Sequence, residues 1–144
     1  MAVFFTSDTH FGHAGARGLY RRPFESAAVL DAAMLERWNA AVGLEDEVWH
    51  LGDFALSVPE TAMAELLIRL HGRKHLIIGN NDSPATTTLA GWSSVRPYAE
   101  IELDGFGLVL CHYPFSSWRN MSRGWPNLHD HSHGLLAPLP RQTV

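Results

Sequence analysis

The feature that most constrains this chain is its alternation of short apolar runs with segments of helical period. Val3 to Thr6 reads as a strand, and residues 26–42 then place Leu30, Met34, Leu35, Trp38, Ala41 and Val42 at helical spacing, with Gly43 as the stop. Val48 to Leu51 is a second strand. Ser57, followed three residues later by Glu60, has the form of a capping box opening a second helix. Met63, Leu66, Leu67 and Leu70 form that helix's apolar stripe, and Gly72 ends it. Lys74 to Ile78 is a third strand. Residues 99–111 form a hairpin turning at Asp104-Gly105, and Tyr113 to Trp125 is an aromatic-rich loop. Strands and helices in this order predict an α/β protein. With no repeat and no linker, residues 1–144 read as one domain.

Composition narrows the class. A chain of 144 residues that is 46% hydrophobic and 18% charged is globular and long enough to bury a core. A net charge of −4 excludes a dedicated duplex-DNA binder with a broad basic face, and Arg17, Arg21 and Arg22 read as solvated surface. Cys111 is the only cysteine, so no internal disulfide forms, and its place in the run Leu108-Val109-Leu110-Cys111 makes it a buried small hydrophobe. Ala2 to Phe5 is too short for a signal peptide or a membrane span, so the expectation is a cytoplasmic protein without a membrane partner.

Nine histidines are the compositional oddity, and their positions decide their meaning. Polar residues suited to metals follow the predicted strands: Asp8 and His10, then Asp53, Asn80 and His112, and lastly His131 and His133. Singly, each group has an ordinary explanation. Asp-x-His arises often by chance, Gly-Asp and Gly-Asn-Asn-Asp suit turns, and a lone histidine is more often core or surface. Together they make five loops meeting at strand ends, where α/β proteins build their sites. The donors are oxygen and nitrogen with no thiolate, a set that suits Mn²⁺ and also Fe, Co²⁺, Ni²⁺ or Zn²⁺. Seven side chains are too many for one tetrahedral ion and suit two.

In this order the residues resemble the calcineurin-like metallophosphoesterase superfamily, in particular its small bacterial and phage members. The superfamily pattern of Asp-x-His, Gly-Asp, Gly-Asn-His-Asp, His and Gly-His-x-His is matched by Asp8/His10, Gly52-Asp53, Gly79-Asn80-Asn81-Asp82, His112 and Asp130-His131-Ser132-His133. The resemblance implies a four-layer αββα sandwich with two divalent metal ions at the carboxyl ends of the strands. It assigns Asp8, His10, Asp53 and His133 to one ion and Asp53, Asn80, His112 and His131 to the other, with Asp53 as the bridge. A solvent molecule shared by such ions is deprotonated near neutral pH and attacks phosphorus. Asp53, Asn80, Asn81 and His112 are accordingly expected at the reacting centre.

Three departures shape the expected activity. Asn81 stands where the superfamily often has a histidine that protonates the leaving group, which favours diesters with good leaving groups, unless His13 or His129 supplies the proton. Asp130 replaces a glycine and is expected in a turn, outside the ligand set. Only residues 134–144 follow His133, with Pro138 and Pro140 among them, so a short C-terminus and a less complete sheet are expected. Trp118, Arg119, Arg123 and Trp125 lie between the last two ligand motifs, where they serve either to stack a base and grip a phosphate or as a packed surface loop. His13, Arg119 and Arg123 are the candidate substrate contacts. The leading expectation is a phosphodiesterase acting on a nucleotide, a single-stranded nucleic acid or another small phosphodiester, and a homo-oligomer is compatible with it. A phosphomonoesterase or nucleotidase of the same fold, and a catalytically impaired metal-binding scaffold, are the alternatives.

Overall fold

The computed structural model describes residues 1–12, 27–56, 58–130 and 142–143. Strands β1 (Val3–Thr6), β2 (Glu47–His50), β3 (Arg73–Ile77) and β4 (Ser94–Arg96) form a parallel sheet in simple sequential order. Helices α1 (Ala27–Ala41), α2 (Glu60–Arg69) and α3 (Pro84–Thr87) lie in the three connections. Parallel crossovers are right-handed, so strands added in one direction carry their helices on one face. Packing follows that rule. Leu35, Met63, Leu67 and Leu89 gather with Leu76 of β3 in one apolar cluster.

The opposite face packs on a second sheet. It contains β5 (Ala99–Leu103), β6 (Phe106–Leu110), β7 (Asn127–Leu128) and β8 (Gln142–Thr143), in that order. The first pair is antiparallel and the other two are parallel. Trp49 and Ile77 from the first sheet meet Ala99, Leu108 and Leu110 from the second in a separate cluster. Neighbours Leu76 and Ile77 thus serve different cores, as the two-residue period of a strand requires. Helix layer, sheet and sheet are in place. The second sheet's outer face carries an irregular segment whose only helical element is a 3₁₀ turn at Met121–Arg123. Its Trp125 seats on Gly107, where a β-carbon would come within 1.8 Å of the indole.

β1, α1 and the hairpin lie where the sequence places them. Asp104 (φ 51°) and Gly105 (φ 78°) make the two-residue turn with both residues left-handed. β2 and β3 each begin and end one residue earlier than expected. The second helix departs more. Its N-cap is Pro59, with no side-chain cap, and Ser57 lies outside the described residues. Proline disfavours helical backbone at Val58, so the helix starts only after it. At its far end the Lys74 ammonium donates to the carbonyls of Leu70 (2.6 Å) and Gly72 (2.8 Å). β4, β7, β8 and α3 are elements the sequence does not announce. Among them β8 supplies a short edge strand beyond the C-terminal prolines. No helix among the described residues is long and apolar enough to cross a membrane.

Candidate metal centre

The loops carrying Asp8 and His10, Asp53, Asn80 and His112 leave the carboxyl ends of β1, β2, β3 and β6, and hydrogen bonds continue the first sheet into its loops. Asp8 N–H donates to Gly52 O (2.9 Å), His10 N–H to Asp53 O (3.0 Å) and Phe11 N–H to Phe54 O (2.9 Å). Asp8, His10 and Asp53 are buried and left-handed, at φ 49°, 46° and 58°. Non-glycine residues held there carry a strain of about 1–2 kcal/mol each, which clusters at functional sites. Two glycines admit the close approaches. Gly52 sits at φ +106°, and a β-carbon on it would lie 2.6 Å from His112 Nδ1. One on Gly79 would lie 2.4 Å from Asp53 Oδ1.

The side chains converge on one oxygen. Asp53 Oδ2 is 3.6 Å from His10 Nε2 and also 3.6 Å from His112 Nε2. His10 Nε2 lies 3.3 Å from Asp8 Oδ1, and His112 Nε2 lies 3.0 Å from Asn80 Oδ1. Ligands bonded at about 2.0–2.1 Å stand about 2.8–3.4 Å apart around an octahedral or tetrahedral ion. The Asp8–His10 and Asn80–His112 pairs stand at that spacing, and Asp53 Oδ2, slightly farther at 3.6 Å from each histidine, faces both pairs. Candidate ligand atoms of Asp8, His10 and Asp53 all lie within 4.8 Å of one another. His112 is tautomerically prepared. Its Nδ1 lies 2.8 Å from Leu51 O, which can only accept, so Nδ1 carries the proton and Nε2 keeps its lone pair for a metal. His131 and His133 lie outside the described residues.

A supporting layer holds these loops in register. The Asp82 carboxylate accepts from the backbone N–H groups of Asp53 (2.8 Å), Phe54 (2.9 Å) and Gly79 (2.8 Å), stitching the second and third ligand loops together. Burial pushes its carboxyl above the usual range, and those three donors oppose the shift. Asn81 donates from its backbone to Asp53 Oδ1 (2.8 Å) and from its amide to Oδ2 (3.1 Å). Asp130 accepts from the Ser7 hydroxyl, and its N–H donates to His112 O. It clasps the first loop to the fourth.

His50 is a further pin. Gly52 N–H donates to its Nδ1 (3.2 Å), so Nε2 bears the proton and donates to Thr9 Oγ1 (3.0 Å), which in turn donates to Phe54 O (2.7 Å). The ring is fully buried beside Trp38, Phe54 and Trp92, and burial pushes its pKa down to about 3. Between about 3 and the unfolded value of 6.5, only the unfolded chain binds this proton. Stability from His50 is therefore complete above 6.5 and declines as pH falls, by up to about 1.4 kcal/mol per unit. In chelator, the stability gap between wild type and His50→Asn should narrow from pH 7 to pH 4 in urea titrations. A constant gap would remove His50 from this role.

No family model matches the chain. It is 33% identical over 132 residues to the uncharacterized protein MJ1445 of Methanocaldococcus jannaschii, covering 91% of this chain and 69% of that protein. It is 31% identical over 161 residues to the gene 66 protein of Mycobacterium phage D29, covering 93% and 79%. The chain belongs to the family of these proteins. The gene 66 protein of Mycobacterium phage L5 is similar to it at 27% identity, over 93% of this chain and 78% of its own length. Among solved structures, the family fold is seen in the protein of unknown function AQ665 from Aquifex aeolicus, with TM-score 0.72 and 24% identity over 91% of this chain and 79% of that one. The Pseudomonas putida nuclease MPE is similar at TM-score 0.56 and 24% identity, over 90% of this chain and 60% of the nuclease. At such identity the two structures show a shared fold.

In this family member the expected substrate residues are placed unequally. Arg119 pairs with Glu100 and stands over Trp125, 5.7 Å from the ring centroid. Trp118 Nε1 donates to Trp125 O (2.7 Å). Those contacts belong to a packed loop. Arg123 is exposed on the 3₁₀ turn, and His13 lies outside the described residues. His129 is buried, and neither ring nitrogen has a hydrogen-bond partner among the described residues. Cys111 is buried, and its thiol is pushed up by burial. Sequence reasoning missed Asp82 and His50 as positioning residues. Asp82 closes the Gly-Asn-Asn-Asp string and His50 precedes Leu51-Gly52-Asp53, so proximity to the ligands was the available signal.

Proposed function

We propose that this chain is a two-metal phosphodiesterase of the calcineurin-like metallophosphoesterase superfamily, built on an αββα sandwich with a shortened outer layer and acting on small or single-stranded phosphodiesters. The observation that carries it is Asp53 Oδ2 facing, at 3.6 Å, the histidine of each of two candidate ligand pairs. A nuclease of similar fold supports the substrate class.

Bound divalent ions, Mn²⁺ fitting best, would supply Lewis acidity and an activated water. The chain's own residues do the rest. Asp8, His10, Asp53, Asn80 and His112, with His131 and His133 completing the proposed set, fix where the phosphoryl group docks. The strained loops, tied by Asp82 and the Thr9–His50 chain, keep that position from relaxing. Two divalent ions, two carboxylates and one hydroxide leave roughly one positive charge, which a diester monoanion neutralises and a monoester dianion exceeds. Asn81 presents an amide and cannot deliver a proton to a departing alkoxide.

The test is to strip the protein with chelator, reload it with Mn²⁺, and compare bis(4-nitrophenyl) phosphate with 4-nitrophenyl phosphate while counting bound metal. Metal-dependent hydrolysis favouring the diester, at two ions per chain, is expected. Preference for the monoester would replace the reading with a phosphomonoesterase, and metal binding without turnover of either would leave a scaffold.

A further inference from the structure

We infer that Tyr113, with Tyr98 and Phe115, forms a stacking platform for a nucleobase beside the metal centre, so that the substrate is a single-stranded nucleic acid. This rests on the phosphodiesterase reading and narrows it to a substrate class.

β6 ends at Leu110 and delivers His112 to Asp53, and Tyr113 follows directly. Its ring stands edge-on to the His112 imidazole, 5.1 Å away at 84°, and the residue is 42% exposed. The pairing of Ala99 with Leu110 brings the preceding residue, Tyr98, to the same end of the second sheet. Tyr98 is 36% exposed, its ring lies 5.9 Å from that of Phe115, and its hydroxyl donates to Glu100 (2.6 Å). The other large exposed aromatic among the described residues, Phe106, sits at the opposite end of β6. Exposed rings thus concentrate where the ligands do.

Charge selects the mode of binding. Arg119 is held by Glu100, the carboxylate that also accepts from the Tyr98 hydroxyl, so the platform offers aromatic faces rather than a free guanidinium. The chain's net charge of −4 supplies no long basic track. Recognition therefore falls on the nucleotides flanking the scissile phosphate, and stacking tolerates any base because every base has a π-face.

The experiment uses the Mn²⁺-loaded full chain on oligothymidylates in which one abasic residue is moved along the strand. Tyr113→Ala should raise KM for the unmodified strand by about 5- to 100-fold, whereas Tyr113→Phe should stay near wild type. An abasic residue at one flanking position should cost wild type a similar factor and cost Tyr113→Ala nothing further. Ultraviolet crosslinking of a 5-iodouracil strand should map to Tyr113. Equal KM in wild type and Tyr113→Ala, with no sensitive abasic position, would overturn the platform. So would hydrolysis of nitrophenyl diesters without cleavage of oligonucleotides, and that result leaves the phosphodiesterase reading standing. Failure to cleave any diester would overturn both.

Discussion

Asp53→Asn should leave the protein unable to hold two metal ions, with bound metal falling from two to at most one per chain and turnover falling on the order of 10³-fold. The magnitude follows from the several kcal/mol that metal charge contributes to the transition state. Two divalent ions about 3.5–4 Å apart would repel by roughly 17–19 kcal/mol at an effective dielectric near 20, and Asp53 Oδ2 is the carboxylate oxygen that stands 3.6 Å from both His10 Nε2 and His112 Nε2. An amide keeps the shape and removes the charge. Its NH₂ also replaces one of the two oxygens that accept from the backbone and the side chain of Asn81. Metal analysis with parallel kinetics checks this. Two tightly held ions with near-normal turnover in the mutant would overturn the bridge.

The second large effect is expected at Asn81. If no residue protonates the leaving group, wild-type kcat should fall steeply as leaving-group pKa rises, with nitrophenyl diesters cleaved readily and alkyl diesters or 2′,3′-cyclic nucleotides poorly. The linkages of a nucleic-acid strand have alkoxide leaving groups too, so strand cleavage should be slow in kcat and depend on base binding through KM. Asn81→His should flatten that slope, gaining up to about 10²–10⁴ for poor leaving groups and little for good ones. The mutation also removes the amide donated to Asp53 (3.1 Å), so rates are compared at equal metal occupancy. The backbone N–H at the same position still donates to Asp53 (2.8 Å), which keeps the carboxylate in place. Equal slopes in the two proteins would show that another residue supplies the proton, and His13 or His129 would take that role.

How much of this was legible in the sequence depends on the range of the forces involved. Donors just past a strand are visible locally, and Asp8, His10, Asp53, Asn80 and His112 do meet. The hairpin was legible for the same reason, since two adjacent residues set its turn. Asp82 was not, because its role exists only once two loops from different strands present three N–H groups to it. The Arg119–Glu100 pair, 19 residues apart, depends on which face of β5 points outward. β4 and β7 are too short to make an apolar run, and their neighbours in the sheet define them. His131, His133 and His13 fall outside the described residues, so their placement rests on the sequence alone.

The clasp between Ser7 and Asp130 joins positions 123 residues apart. Loop closure over such a span comes late, since its entropy must be met before any contact rewards it. A chain still emerging from the ribosome would own Asp8, His10 and Asp53 long before Asp130 arrives to fasten the first loop. Until then the first loop is held by its own hydrogen bonds to the loop after β2, from Asp8 to Gly52 and from His10 to Asp53. Order of synthesis thereby sets the order of fastening: the first loop is tied to the loop after β2 early and to the segment after β7 late.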